Sequence, residues 1–318
     1  MKVLITGSNG FIGKHLIQEM GKDPNISLVL ALRKGKKFDE EVPHSKIFFD
    51  KLDSSTDWSK ALLEIDAVIH LAGYAHEKNY QIKDFEEECK KVNVDATINL
   101  AKQAVRSKIK RFIYLSSVKV NGEETSELKP FCADDKPNPQ DIYGRTKLQA
   151  ELGLKEISKT SKMEIVIIRP VLVYGSGVKG NFLSLLKLLN TGLPLPLGSI
   201  ENKRSFLSIK NLNNFIHICL KHSSAGNQVF LVSDGPPMSS KDLIKKLSFF
   251  LNKRSFIVPF PFILLKIMAS LVGKQKLLEK LFGSLEVNIE KNLDLLQWTP
   301  VEEPDKTLEE TVNYFLTR

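Results

Sequence analysis

A short apolar run, Lys2-Val3-Leu4-Ile5-Thr6, leads straight into Gly7, Gly10 and Gly13, three glycines spaced three apart, and then into an amphipathic stretch. This order commits the chain to strand, tight turn and helix. Gly7 permits a turn that a side chain would hinder. Gly10 lets backbone N–H groups come close to a pyrophosphate, and Gly13 lets the helix pack on the strand. Phe11 and Ile12 fall at the helix N-terminus, whose unpaired N–H groups and partial positive charge favour phosphate. Such a turn by itself specifies little. Directly after the first strand it marks a dinucleotide site, with Gly7, Gly10, Phe11, Ile12 and Gly13 as cofactor contacts.

The chain then alternates strand and helix. Residues 11–22 read as helix and 27–32 as a strand, continuously apolar as in a sheet covered on both faces. That strand ends in Leu32, Arg33 and Lys34, with no carboxylate to take a ribose hydroxyl. An arginine at this place accommodates a 2′-phosphate instead, so Arg33 favours NADP over NAD. The plainer alternative is a solvated basic turn, since Lys34, Lys36 and Lys37 cluster there. Residues 46–49 form a third strand, and Asp50 or Asp53 beyond it could reach the adenine end. Residues 57–64 read as a short helix. The strand over 67–73 ends in Leu71, Ala72 and Gly73, whose backbone a cofactor can approach closely. His70 inside it reads as a packed, hydrogen-bonded side chain rather than a base.

A long helix over 85–106 carries Asn93, counted with the cofactor contacts. A strand over 111–116 is followed by Ser117 and a polar, Pro-rich loop to residue 140. Helix 143–158 and strand 164–168 complete the pattern. The fold class is α/β: a Rossmann-type doubly wound parallel sheet. After Arg169-Pro170 helices dominate, over 181–190, 211–221, 239–251 and several beyond Pro261. They imply a smaller, mostly helical C-terminal substrate lobe. The division is 1–170 for the dinucleotide-binding domain and 171–318 for the lobe, with segments near Phe206 and Phe230 able to return to the sheet.

The chain carries a net charge of +9, with its basic residues dispersed and no aromatic-studded basic motif. This suits anionic substrates and argues against a nucleic-acid partner. Cys89, Cys132 and Cys219 are scattered, odd in number and never in CxxC spacing, which points to a reducing compartment, no disulfide framework and no metal site. The first residues enter a strand at once, so no signal peptide and a cytoplasmic location are expected. Residues 257–272 are apolar, interrupted by Pro259, Pro261 and Lys266, and flanked by Lys253, Arg254, Lys274, Lys276 and Lys280. They read as a lobe helix with basic ends or as a peripheral membrane contact.

Chemistry concentrates at Tyr143 and Lys147, four apart on one helix face, with Ser117 at a strand end. Tyrosine is a poor base at its free pKa near 10. A neighbouring ammonium and an oxidised nicotinamide would lower that value, so that the phenolate takes a proton from a substrate hydroxyl while Ser117 holds the oxygen. A second pair, Tyr74 and Lys78, lacks a serine-bearing strand end before it. A second glycine pattern, Gly175-Ser176-Gly177-Val178-Lys179-Gly180, is followed by a helix but then by no apolar strand. It reads as a flexible mouth over the substrate.

Taken together, Gly7…Gly10…Gly13, Ser117…Tyr143-x-x-x-Lys147, Arg169-Pro170 and Tyr174-Gly175 resemble the extended short-chain dehydrogenase/reductases, in their nucleotide-sugar epimerase/dehydratase group. Residues 116–123, 177–182 and 231–235 are similar to a UDP-glucose 4-epimerase-like subgroup often linked to surface polysaccharide synthesis. The similarity runs from residue 1 to about Pro300. It implies bound NAD(P), oxidation and reduction at C4 of a hexose, a UDP-sugar or related nucleotide sugar as substrate, and a homodimer. By position, Ser117, Tyr143 and Lys147 fall on the catalytic residues and Arg169 and Pro170 on cofactor contacts. Lys119, Asn181 and Arg204 fall on the substrate side. The chain departs from the pattern at Asn121 and at Leu296-Gln297-Trp298-Thr299-Pro300. The alternatives are a reductase of a 4-keto-6-deoxy sugar nucleotide, a polyprenyl-diphosphate-sugar epimerase, and a non-catalytic NAD(P)-binding protein.

Overall fold

A computed structural model describes residues 1–35, 44–75, 82–126, 129–253, 257–261, 270 and 283–318. Lys78 and most of 257–272, including the membrane-contact reading of that stretch, lie outside the described residues. Strands β1 (Lys2–Thr6), β2 (Ser27–Arg33), β3 (Ser45–Phe49), β4 (Ala67–His70), β5 (Arg111–Leu115), β6 (Glu164–Pro170) and, after a short β7 (Leu172–Tyr174) and β8 (Phe206–Ser208), β9 (Val229–Val232) are the described strands. The main sheet runs β3-β2-β1-β4-β5-β6-β9, every neighbouring pair parallel. Parallel neighbours need crossovers, and helices supply those from β1 to β2, from β4 to β5 and from β5 to β6. The order reverses between β1 and β4, and ligands bind at the carboxyl ends beside such a reversal.

Alternation along the strands explains why they are apolar throughout. Val3 and Ile5 join one core with Leu16 and Ile17 of α1 (Phe11–Met20) and, from a helix late in the chain, Phe215 and Ile216. Leu4 faces the other way, into a core with Val68, Phe112, Leu100 and Leu154. Helices α2 (Ile82–Cys89) and α3 (Ala96–Arg106) are joined by a wider π turn over Lys90–Asp95, so the long helix read over 85–106 is widened at Asn93. Next come α4 (Ile142–Lys159), α5 (Gly180–Asn190), α6 (Ile209–Lys221), α7 (Ser240–Phe250), α8 (Glu290–Leu296) and α9 (Pro304–Leu316). Phe182 and Leu186 of α5, Leu243 and Leu247 of α7, and Leu308 and Val312 of α9 form a third core. The strand near Phe230 joins the main sheet, whereas the one near Phe206 pairs with β7 in a separate small sheet.

Residues 57–64 are a correction. They close a single helical turn, Leu62 N–H to Trp58 O at 2.9 Å, and continue as turns until Glu64, whose φ of 57° is left-handed. Trp58 is buried, and its backbone N–H goes to the Gln103 side chain at 2.8 Å, which fixes the segment from outside.

His70 has the packed role read from its sequence context. Its Nδ1 lies 2.6 Å from Thr6 Oγ1 and its Nε2 2.9 Å from Thr97 Oγ1, and the ring stacks on Tyr114. Burial, with the Lys147 charge added, pushes its pKa down to about 3. The folded state therefore excludes a proton that the unfolded chain binds below its ordinary value near 6.5, so stability falls as pH drops below that value. We predict a loss of about 2 kcal/mol between pH 7 and pH 5 from this residue. Denaturant melts of wild type and His70→Gln at both pH values check it: the variant should lose much less on acidification, and equal losses would contradict the assignment.

Candidate active site

The first glycines build a cradle. Gly7 takes φ +74°, and a Cβ there would sit 2.7 Å from the Ala72 nitrogen. A Cβ on Gly13 would sit 2.3 Å from the Gly7 carbonyl oxygen, so α1 meets the turn at glycine-only distance. Gly10 donates its N–H to Gly7 O at 2.9 Å, and the buried Ser8 hydroxyl donates to Ile5 O at 2.8 Å. Gly10 is the N-cap of α1 and brings no side chain to the helix N–H groups. A bare helix start at the carboxyl edge of a parallel sheet fits a pyrophosphate. Arg33 is exposed at the end of β2. Lys34 pairs with Asp50 at 2.9 Å, and Asp53 turns back onto the Ser55 N–H (2.9 Å) and hydroxyl (2.6 Å), so both carboxylates are engaged locally.

Tyr143 and Lys147 stand in the first turns of α4, which Asp141 caps by accepting the Gly144 N–H at 2.7 Å. Lys147 is buried, donates to Leu115 O at 2.9 Å and lies 4.6 Å from the Tyr114 ring centroid. Burial brings its pKa down to about 8 against the opposing pull of Glu151, so it keeps its charge for the most part at pH 7. Its ammonium is 5.8 Å from the Tyr143 ring centroid. Burial first, then the Asp141 and Cys89 charges, holds the Tyr143 hydroxyl well above the ordinary tyrosine value. A Cβ on Gly73 would come within 3.2 Å of Lys147 Nζ and 3.3 Å of Asn93 Oδ1, so the chain past β4 passes close against these two groups. Ser117, half-buried past β5, caps the turn over Val118–Val120 through the Lys119 N–H at 3.3 Å.

Several assigned residues also have partners within the chain. Asn93 accepts the Tyr74 N–H at 2.7 Å and donates to Tyr74 O and Thr146 Oγ1, so it clamps the chain after β4 onto α4. Arg169, expected to touch the cofactor, gives its guanidinium to protein partners. Its Nε and Nη2 donate to Glu151 at 2.9 and 2.6 Å, and its Nη1 to Asn121 Oδ1 at 2.9 Å, all buried. Pro170 ends β6 beside it. Lys119, expected on the substrate side, ion-pairs with Asp141 and, at 3.6 Å, with Glu123. Asn181 is exposed in the first turn of α5. Arg204 is half-buried and donates to Gly283 O at 2.7 Å. The second glycine pattern is stitched down rather than free. Ser176 O accepts from His15 Nε2 at 2.7 Å, its hydroxyl donates to Glu310 O at 3.3 Å, and Gly177 packs on the Tyr314 ring.

Residues 3–233 match the family described as the NAD dependent epimerase/dehydratase family. The chain belongs to that family. It is 39% identical over 99% of its length to a UDP-glucose 4-epimerase of Vibrio cholerae, 95% of which is covered. It is 31% identical over 80% of its length to a dTDP-4-dehydro-6-deoxyglucose reductase of Escherichia coli, 83% of which is covered. A solved structure of UDP-glucuronic acid 4-epimerase from Bacillus cereus, in complex with NAD, superposes with a TM-score of 0.80 at 23% identity, covering 100% of this chain and 99% of the other.

Within this epimerase/dehydratase chain, the residues that sequence reasoning missed are Ser116, Asn121 and Glu151. Ser116 donates to Glu151 at 2.5 Å, and Asn121 ties Arg169 to the Cys132 carbonyl at 2.9 Å. Glu151 carried a readable signal: it extends the Tyr143, Lys147 spacing by four more residues along one face of α4. Among the described residues no cluster of His, Cys, Asp or Glu is placed to hold a metal ion, and no helix is long and apolar enough to cross a membrane.

The cradle gives a direct prediction. Gly13→Ala forces a methyl into the Gly7 carbonyl, and overpacking of about 1–3 kcal/mol should weaken dinucleotide binding about tenfold or more. Calorimetric titration with NAD and NADP checks this, with circular dichroism confirming the fold. Unchanged affinity would mean that the turn does not carry the cofactor.

Proposed function

We propose that the protein is a nucleotide-sugar 4-epimerase that works with bound NAD(P) on a UDP-sugar or related nucleotide sugar, in surface polysaccharide synthesis. The observation that supports this reading is the buried Lys147 ammonium, 5.8 Å from the Tyr143 ring centroid and 2.9 Å from the Leu115 carbonyl, at the end of the strand that Ser117 follows. The 39% identity to a UDP-glucose 4-epimerase over nearly the whole chain supports it.

When bound, the dinucleotide supplies the acceptor and then the donor for the hydrogen at C4. The chain's residues do the rest. Tyr143 takes the proton of the C4 hydroxyl and later returns it. The Lys147 ammonium favours the phenolate, and burial keeps water from competing for it. Ser117 holds the C4 oxygen. Arg204 and the N-terminus of α5 around Asn181 bind the diphosphate, the pivot about which the sugar turns. Arg33 is assigned to the 2′-phosphate of NADP. Pairing of two copies through α3 and α4 belongs to the same proposal.

A second reading, a 4-keto sugar-nucleotide reductase, is favoured by Arg33 and by the 31% identity to a reductase of that kind. Enzyme at substoichiometric amounts, given UDP-hexoses and UDP-N-acetylhexosamines and no added cofactor, should carry one of them to equilibrium with its C4 epimer. No conversion, with steady NADPH consumption on a 4-keto-6-deoxy sugar nucleotide, would establish the reductase instead. Tyr143→Phe should lower the rate by on the order of 10²-fold or more, and Arg33→Ala should erase any preference for NADP. Near-normal turnover by Tyr143→Phe would overturn the assignment of the base.

A further inference from the structure

Tyr143 has two ammonium groups near its ring, and the mechanism above uses one. Lys147 Nζ lies 5.8 Å from the ring centroid and Lys119 Nζ 5.9 Å from it. The two arrive from different elements, Lys147 on α4 and Lys119 on the turn that also carries Ser117. Lys119 is held there by ion pairs to Asp141 and Glu123. Its side chain is about one-third exposed, at 30%, so its field is only partly screened by water.

The partner matters as much as the lysine. Asp141 is two residues before Tyr143 and caps α4 through the Gly144 N–H. Its carboxylate stands close enough to Tyr143 to oppose ionisation of the phenol. Burial works against that carboxylate, but the bonds from Lys119, Gly144 and Glu123 outweigh it and hold its pKa below the ordinary aspartate value. A helix cap that the fold needs thus puts an unwelcome negative charge beside the base. The groups facing Tyr143 are Lys147 from α4, Asp141 from its cap, Lys119 from the turn past β5, Cys89 from α2 and Tyr114 from β5, with Glu123 behind Lys119 and Asp141.

We propose that Lys119 is a positioning residue for the base: its ammonium, fixed between Asp141 and Glu123, offsets the Asp141 charge at the Tyr143 ring. This rests on the reading of Tyr143 as the proton-moving group, and it moves Lys119 from the sugar to the tyrosine. It also gives the charge pair a clear logic. The cap holds α4 in place, and the lysine removes the electrostatic cost of the cap where the proton moves.

The test is a tyrosinate absorbance titration of the NAD-saturated protein, read as the difference from Tyr143→Phe, beside the pH–rate profile of epimerisation. A base must be ionised, so the rate rises with pH through its pKa. Removing a nearby cation raises that pKa and moves the rising limb to higher pH. Lys119→Met should shift both the absorbance midpoint and the limb upward by about 1 pH unit. Lys119→Arg should hold them near wild type, and the double variant Lys119→Met, Asp141→Asn should bring them back. Asparagine still caps a helix, so Asp141→Asn alone should fold and move the midpoint downward. If Lys119→Met and Asp141→Asn both leave the midpoint in place while Tyr143→Phe is inactive, the proposal is wrong and the base assignment stands. If Tyr143→Phe stays active, the base assignment is wrong, and the midpoints still decide whether Lys119 governs ionisation of the ring.

Discussion

One buried ion pair sets the distance between the two halves of the site. Glu151 on α4 takes two bonds from Arg169 on β6 and a third from Ser116 at the end of β5. Both charged side chains are almost entirely out of water, at 2% and 1% exposure. Desolvating two charges costs several kcal/mol each, and the cost is recovered only where geometry and further hydrogen bonds are good. Here they are: Arg169 also reaches Asn121 and the Ala133 carbonyl. An arrangement that tolerates so little slack fixes the element carrying Ser117 against the helix carrying Tyr143 and Lys147. Catalysis by positioned groups depends on that distance, since misplacement by an ångström is costly.

The same economy runs through the neighbouring polar groups. Asn93 spends its amide on the backbone of Tyr74 and on Thr146, which seats the chain after β4 against α4. Lys147 is anchored on a main-chain carbonyl and an aromatic face rather than on a carboxylate. That leaves its charge available to the tyrosine. The glycine cradle contributes by contact alone, with α1 and the end of β4 meeting the turn at distances no side chain would allow.

Much of this was legible in the sequence because it is local. Apolar runs between glycines and prolines gave the succession of the strands, and the Tyr143, Lys147 spacing put both side chains together on α4. What failed to show was set from far away. The 57–64 segment reads as helix until Gln103 claims the Trp58 N–H from 45 residues off. The partners of the Arg169 guanidinium, Asn121 and Glu151, stand 48 and 18 residues before it on other elements. The loop around Ser176 reads as a free mouth until α1 and α9 close on it. Lys119 and Asp141 are 22 residues apart across a polar loop, and no local pattern announces that they meet.

In the proposed function, this site takes hydrogen from a sugar carbon and gives it back to the same carbon without releasing it. A nucleotide sugar carrying deuterium at C4, incubated with the protein and an excess of unlabelled NADH and NADPH, tests that claim directly by mass spectrometry of product and cofactor. The account predicts an epimer that retains its deuterium, with none in the free dinucleotide pool. Deuterium in that pool, or an epimer that has lost it, would contradict the account.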